Sequence, residues 1–68
     1  MRLIKRTIRL VRHNTSIALE PEFWAALEDC ARRRGQSVPE LIAEIDASRS
    51  GGLASAIRVA MLAAKARG

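Results

Sequence analysis

Aromatic rings, cysteine and, over its first fourteen residues, acidic side chains are what this 68-residue sequence has least of. One Trp, one Phe and no Tyr leave few large side chains to fill a core. A single cysteine, Cys30, excludes an internal disulfide framework. Together with the one histidine, His13, it also falls short of the roughly four Cys or His ligands of a structural zinc site. No run approaches the roughly 18 uninterrupted apolar residues that cross a bilayer. Arg and Lys interrupt residues 2–12 too often to leave the apolar stretch of a secretion signal. The lone cysteine fits a reducing compartment, so a cytoplasmic protein without membrane contact is expected. Gly-rich phosphate loops, Ser-His-Asp sets and paired carboxylates in a credible cleft are missing too. No enzyme, catalytic residue, metal or cofactor is therefore expected.

What is present is apolar and basic: 49% of residues are hydrophobic, and 12 Lys and Arg face 7 Asp and Glu for a net charge of +5. A lone chain this short buries only about 60% of the surface that its unfolded form exposes, which makes one marginal domain and points to oligomerisation as the remaining source of stability. The charge is unevenly spread. Arg2, Lys5, Arg6, Arg9 and Arg12 carry the first fourteen residues, whereas every acid lies between Glu20 and Asp46. A cationic end on a chain with pI near 11.1 is the electrostatic footprint of a polyanion binder.

Hydrophobic spacing orders the chain. Ile8 and Leu10 occupy even positions, Ile17 and Leu19 odd ones, so one straight strand cannot bury both pairs on one face. A turn between two short strands, or a bulge, must interrupt residues 7–19 near Arg12, His13 and Asn14, with Asn14 suited to a left-handed backbone. A first helix of about 14 residues begins at Pro21, with Phe23, Leu27 and Ala31 at four-residue spacing, and stops at Gly35. A second opens on Ser37-Val38-Pro39-Glu40, a reciprocal capping box, and buries Val38, Leu41, Ile42 and Ile45. Gly51-Gly52 ends it or the short connection after it. A third is expected from Leu53 to Ala66, with Leu53, Ile57, Ala60, Met61 and Ala64 on one face. The segments are 1–13, a basic strand or arm; 14–50, a core; and 51–68, the third helix, all within one α+β, mostly helical domain.

The run Thr15-Ser16-Ile17-Ala18-Leu19, followed by Leu27, Ala31, Arg34-Gly35-Gln36-Ser37 and Glu40-Leu41-Ile42, resembles the ribbon-helix-helix DNA-binding domain of the Arc and MetJ repressor superfamily. With Arg-Thr-Ile-Arg-Leu ahead of it and the helix to Met61 behind, it is similar to a bacterial subgroup of those proteins. The resemblance implies a homodimer in which the strand pairs with its copy. Ile17, Leu19, Phe23, Trp24, Leu27, Leu41, Ile42 and Ile45 would then build a shared core. It implies base-facing Asn14, Ser16 and Ala18, and a phosphate held at Ser37 and Val38. Family members usually carry polar or Arg side chains at all three outward positions, and Ala18 offers only apolar contact with a thymine methyl.

The extra N-terminal segment raises a geometric difficulty. Strands lie about 4.8 Å apart and the major groove is about 12 Å wide, so two strands fit and four do not. If the segment flanks the ribbon in each copy, the sheet is too wide to insert. If it is an arm, Arg2, Lys5, Arg6, Arg9 and Arg12 track phosphates. The expected function is a sequence-preferring DNA-binding regulator, acting as a repressor on double-stranded DNA as a homodimer or higher oligomer. The alternative is a protein-interaction module, antitoxin-like or an adaptor, that binds a partner through residues 53–66.

Overall fold

A computed structural model describes residues 2–67; Met1 and Gly68, the outer ends of the 1–13 and 51–68 segments, lie outside the described residues. Five elements follow in order: β1 (Ile4–Arg9), β2 (Asn14–Leu19), α1 (Pro21–Arg33), α2 (Val38–Ser48) and α3 (Leu53–Ala66). The expected α+β, mostly helical class is the one observed.

β1 and β2 form an antiparallel hairpin in which Ile4 lies opposite Leu19 and Arg9 opposite Asn14. Directly opposed residues of an antiparallel pair share a face, so even positions of β1 side with odd positions of β2. This parity is why the apolar phase changes between Ile8 and Ile17. A two-residue turn, Val11-Arg12, causes it, closed by a 2.8 Å bond from the Leu10 N–H to the His13 carbonyl. Gly35 is the only described residue with a positive φ. The turn therefore needs no left-handed residue, and Asn14, expected to supply one, is an ordinary first residue of β2. β1 also begins at Ile4, ahead of the Thr7 at which the sequence pattern starts it. Its first residue is held by Trp24, whose Nε1–H donates to the Ile4 carbonyl at 2.8 Å.

Local chemistry sets each helix boundary. The Glu20 carbonyl accepts from Phe23 and Trp24, starting α1 at Pro21, a ring that suits a first helical position. At the other end Gly35 adopts φ 69°. The Gln36 and Gly35 amides donate to Ala31 and Arg32 carbonyls, the paired bonds of a Schellman stop. The capping box at α2 is complete: the Glu40 amide donates to Ser37 Oγ at 3.2 Å and the Ser37 amide to Glu40 Oε1 at 2.8 Å.

One core joins all five elements. Ile8, Leu10, Ile17, Leu19, Trp24 and Leu27 meet Leu41 and Ile42 of α2 and Ile57 and Met61 of α3, all buried. α3 covers the core with its expected face, while Arg58 on its flank bonds Glu20 at 2.9 Å and ties the strand-to-helix junction to α3.

Two expectations follow. Ile17 is 3% exposed and Ser16 exposed, so Ile17→Asp, which buries a charge at a cost of several kcal/mol, should abolish the thermal transition. Ser16→Ala should leave it within about 0.5 kcal/mol of wild type. Equal tolerance of both would mean that the ribbon faces the other way. The second concerns acid. The Arg58 hydrogen bond holds the Glu20 carboxyl below the usual glutamate range, and the Ser37 amide, then its hydroxyl, does the same for Glu40. Stability from both is complete above the unfolded glutamate pKa, roughly 4.3, and is lost as pH falls through the depressed folded values. The melting temperature of a Glu20→Gln/Glu40→Gln variant should vary less over that acid range than that of wild type. Parallel curves would remove the assignment.

Candidate nucleic-acid interface

The hairpin register decides which side chains act together. Lys5 lies opposite Ala18, Thr7 opposite Ser16 and Arg9 opposite Asn14. These six residues form the face turned away from the core, with Lys5, Thr7, Arg9, Asn14 and Ser16 exposed and Ala18 half-buried. The expected trio Asn14, Ser16 and Ala18 thus lies on one face, and β1 adds a second row beside it. Arg and Lys suit guanine O6 and N7, Asn suits adenine, and Thr and Ser bond permissively, so the second row supplies the chemistry that Ala18 lacks. Thr7 is the residue that sequence reading missed; the alternation of Lys5, Thr7 and Arg9 with Ile4 and Ile8 is the signal for it.

Arg6 belongs to the other face. Its guanidinium lies 4.6 Å from the centre of the Trp24 ring and bonds Glu28 at 3.2 Å while staying exposed, so, unlike the other four cations expected at phosphates, it already has a carboxylate partner. The same parity that turns Lys5 and Arg9 outward turns Arg6 inward. Arg12 sits in the turn and Arg2 precedes β1, both exposed.

Ion pairing sharpens the contrast. Glu20, Glu28, Asp29, Glu44 and Asp46 pair with Arg58, Arg6, Arg32 and Arg33, Arg34, and Arg49 respectively, and Glu40 serves its capping box. Glu22 is left. Among the described residues the cations without an ion pair are Arg2, Lys5, Arg9, Arg12, Lys65 and Arg67. The first four lie on the hairpin or just ahead of it, where no ion pair neutralises them, although Arg9 borders a cleft that Glu40 and Glu44 also line.

At the start of α2 the capping box engages the Ser37 amide and hydroxyl and the Glu40 amide, and Pro39 has no N–H. The Val38 amide remains, with the Glu40 carboxylate close by. A cleft of about 400 Å³ lies between Arg9, Leu10 and Val11 on one side and Gln36, Pro39, Glu40, Ala43 and Glu44 on the other, so the hairpin end and the first turns of α2 lie side by side, with Arg9 facing the two carboxylates.

Of the residues expected in the core, Ile17, Leu19, Trp24, Leu27, Leu41 and Ile42 are buried, and Phe23 and Ile45 pack at its edge. All eight do so against elements of their own chain. Among the described residues no helix is long and apolar enough to cross a membrane.

No curated protein and no solved structure matches the chain. A family model of the ribbon-helix-helix domain matches residues 3–64, a span that takes in both strands, α1, α2 and most of α3. By that match over most of its length the protein belongs to the ribbon-helix-helix domain family.

Proposed function

We propose that the protein is a sequence-preferring DNA-binding regulator of the cytoplasm, a repressor that occupies its operator as a homodimer. Ribbon-helix-helix proteins are generally DNA-binding regulators and typically bind as dimers. The observation that carries the reading is the outward face of the β1–β2 hairpin, where Lys5 and Arg9 stand beside Thr7, Asn14, Ser16 and Ala18 with no acid among them. A hairpin is two strands wide, at about 4.8 Å per strand, and enters a major groove about 12 Å wide without a second chain's strands.

The roles then divide. Arg2 and Arg12, at the two ends of β1 and its turn, contact phosphates and give affinity without sequence information. Arg9, Asn14, Thr7 and Ser16 meet base edges, Ala18 a thymine methyl, and Lys5 either guanine or the flanking phosphate. The Val38 amide, at the positive end of the α2 dipole, adds one phosphate contact across the cleft.

A protein-interaction module that binds through residues 53–66 is the second reading, favoured by Val59 and Leu62, 64% and 59% exposed on α3.

Fluorescence anisotropy on a labelled duplex at several salt concentrations tests the first. Arg2→Ala and Arg12→Ala should each lower the salt slope by about 0.9, whereas Arg6→Ala should lower the melting temperature and leave the slope as it was. Asn14→Ala should cost about 1–3 kcal/mol on a preferred site and little elsewhere. A folded protein that binds no duplex even at low salt would sink this reading in favour of the second.

A further inference from the structure

His13, the one histidine of the chain, closes the hairpin turn and is exposed. Its carbonyl accepts from the Leu10 N–H at 2.8 Å, but no bond returns from its own N–H to the Leu10 carbonyl. Among the described residues the Val11, Arg12 and His13 amides have no backbone acceptor. Successive free amides in a turn are the donors that anion-binding concavities use.

Such a concavity is present at this turn. About 320 Å³ in volume, it is lined by Arg9, Leu10, Val11, Arg12, His13 and Asn14. Two arginines and the histidine are among these residues and no acid is. Glu40 and Glu44 face Arg9 from α2 across the neighbouring cleft and do not line this one. Arg12 makes no ion pair among the described residues.

We propose that the turn concavity binds one phosphate of the DNA backbone, with the Arg12 guanidinium and the protonated imidazole of His13 as its charged donors. The site rests on the proposed function, which supplies the duplex, and adds a proton to it. A neutral imidazole has one N–H and one acceptor nitrogen, whereas the imidazolium has two donors and a positive charge. Histidine is the side-chain type that passes between these forms from pH 5 to 8. A phosphate favours the charged form, so binding takes up a proton; the contact is complete at the acid end of that range and is lost as pH rises. Carboxylates, which ordinarily titrate near pH 4, stay ionised throughout. A phosphate contact carries no base information directly, so the proton acts on every duplex alike.

Anisotropy titrations of a labelled duplex at about pH 5.5 and about pH 8, each at several salt concentrations, test the site. Wild type should bind roughly tenfold tighter at the lower pH, the scale of one charge-assisted hydrogen bond. Its salt slope should be steeper there by about 0.9. His13→Gln, which keeps a donor without the charge, should melt like wild type and bind alike at both pH values. The ring protons of the single imidazole give a second readout by NMR: their titration midpoint should rise when duplex is added. Equal wild-type slopes at the two pH values, or a His13→Gln protein that keeps the difference, would overturn the site and leave the DNA reading standing. An imidazole midpoint that duplex does not move has the same consequence. A folded protein that binds no duplex at either pH removes the DNA reading and this site with it.

Discussion

The seat of Trp24 is the constraint on which the interface depends. An isolated two-stranded hairpin is marginal in water and needs a packed face to persist. Trp24 provides it: the ring is 2% exposed, its N–H reaches the Ile4 carbonyl, and the Arg6 guanidinium covers it while bonding Glu28 of the same helix. A buried indole N–H without an acceptor would cost roughly 1–3 kcal/mol, so the first residue of β1 and the first turn of α1 hold one another in place. Once Ile4 is fixed, the antiparallel register assigns every other residue of β1 to a face. Lys5, Thr7 and Arg9 turn out together because Ile4, Arg6 and Ile8 turn in.

Charge follows the same division. The helical part of the molecule neutralises itself: five carboxylates pair with arginines and a sixth completes a helix cap. Most of those pairs are exposed, and such pairs contribute little to stability. Their consequence is a field with a direction. With the acids engaged on the helices, the surplus of +5 is expressed where cations have no partner, mainly on the hairpin. Net charge alone would leave the location of a polyanion site undetermined, and the pairing pattern locates the candidate.

Much of this was legible in the sequence because its causes are local. Pro21, the Gly35 stop and the Ser37–Glu40 box mark helix ends through bonds between residues a few positions apart, and α1 and α2 begin where those signals lie. The inward facing of Ile17 and Leu19 followed from period two. The face of β1 was not legible. Whether residues 4–9 form a strand or a solvated arm depends on pairing with residues 14–19 and on a bond across twenty residues, from Trp24 to Ile4, and the alternation within the segment is interrupted by Arg6 on the apolar face. Arg6 was grouped with its neighbouring cations for that reason, although its contacts are a ring and a carboxylate on α1. The left-handed residue expected at Asn14 was not needed, because Val11-Arg12 closes the turn with both residues at negative φ.

The extra strand also changes what a second copy contributes. Where a ribbon is shared between chains, the strand of each is completed only by the other, and folding depends on concentration. Here β1 completes β2 within the chain, and α3 closes the core from the opposite side with Ile57 and Met61. Six of the eight residues that the family resemblance assigned to a shared core are buried within one chain, and Phe23 and Ile45 are partly covered. A single chain holds a core and a two-stranded hairpin, so in the proposed homodimer a second copy would add a second hairpin. For a reader of DNA that addition acts on specificity. On the proposed function, two linked half-site contacts would discriminate by spacing as well as by base edges, which suits a ribbon whose outward Ser16, Thr7 and Ala18 have only permissive base chemistry.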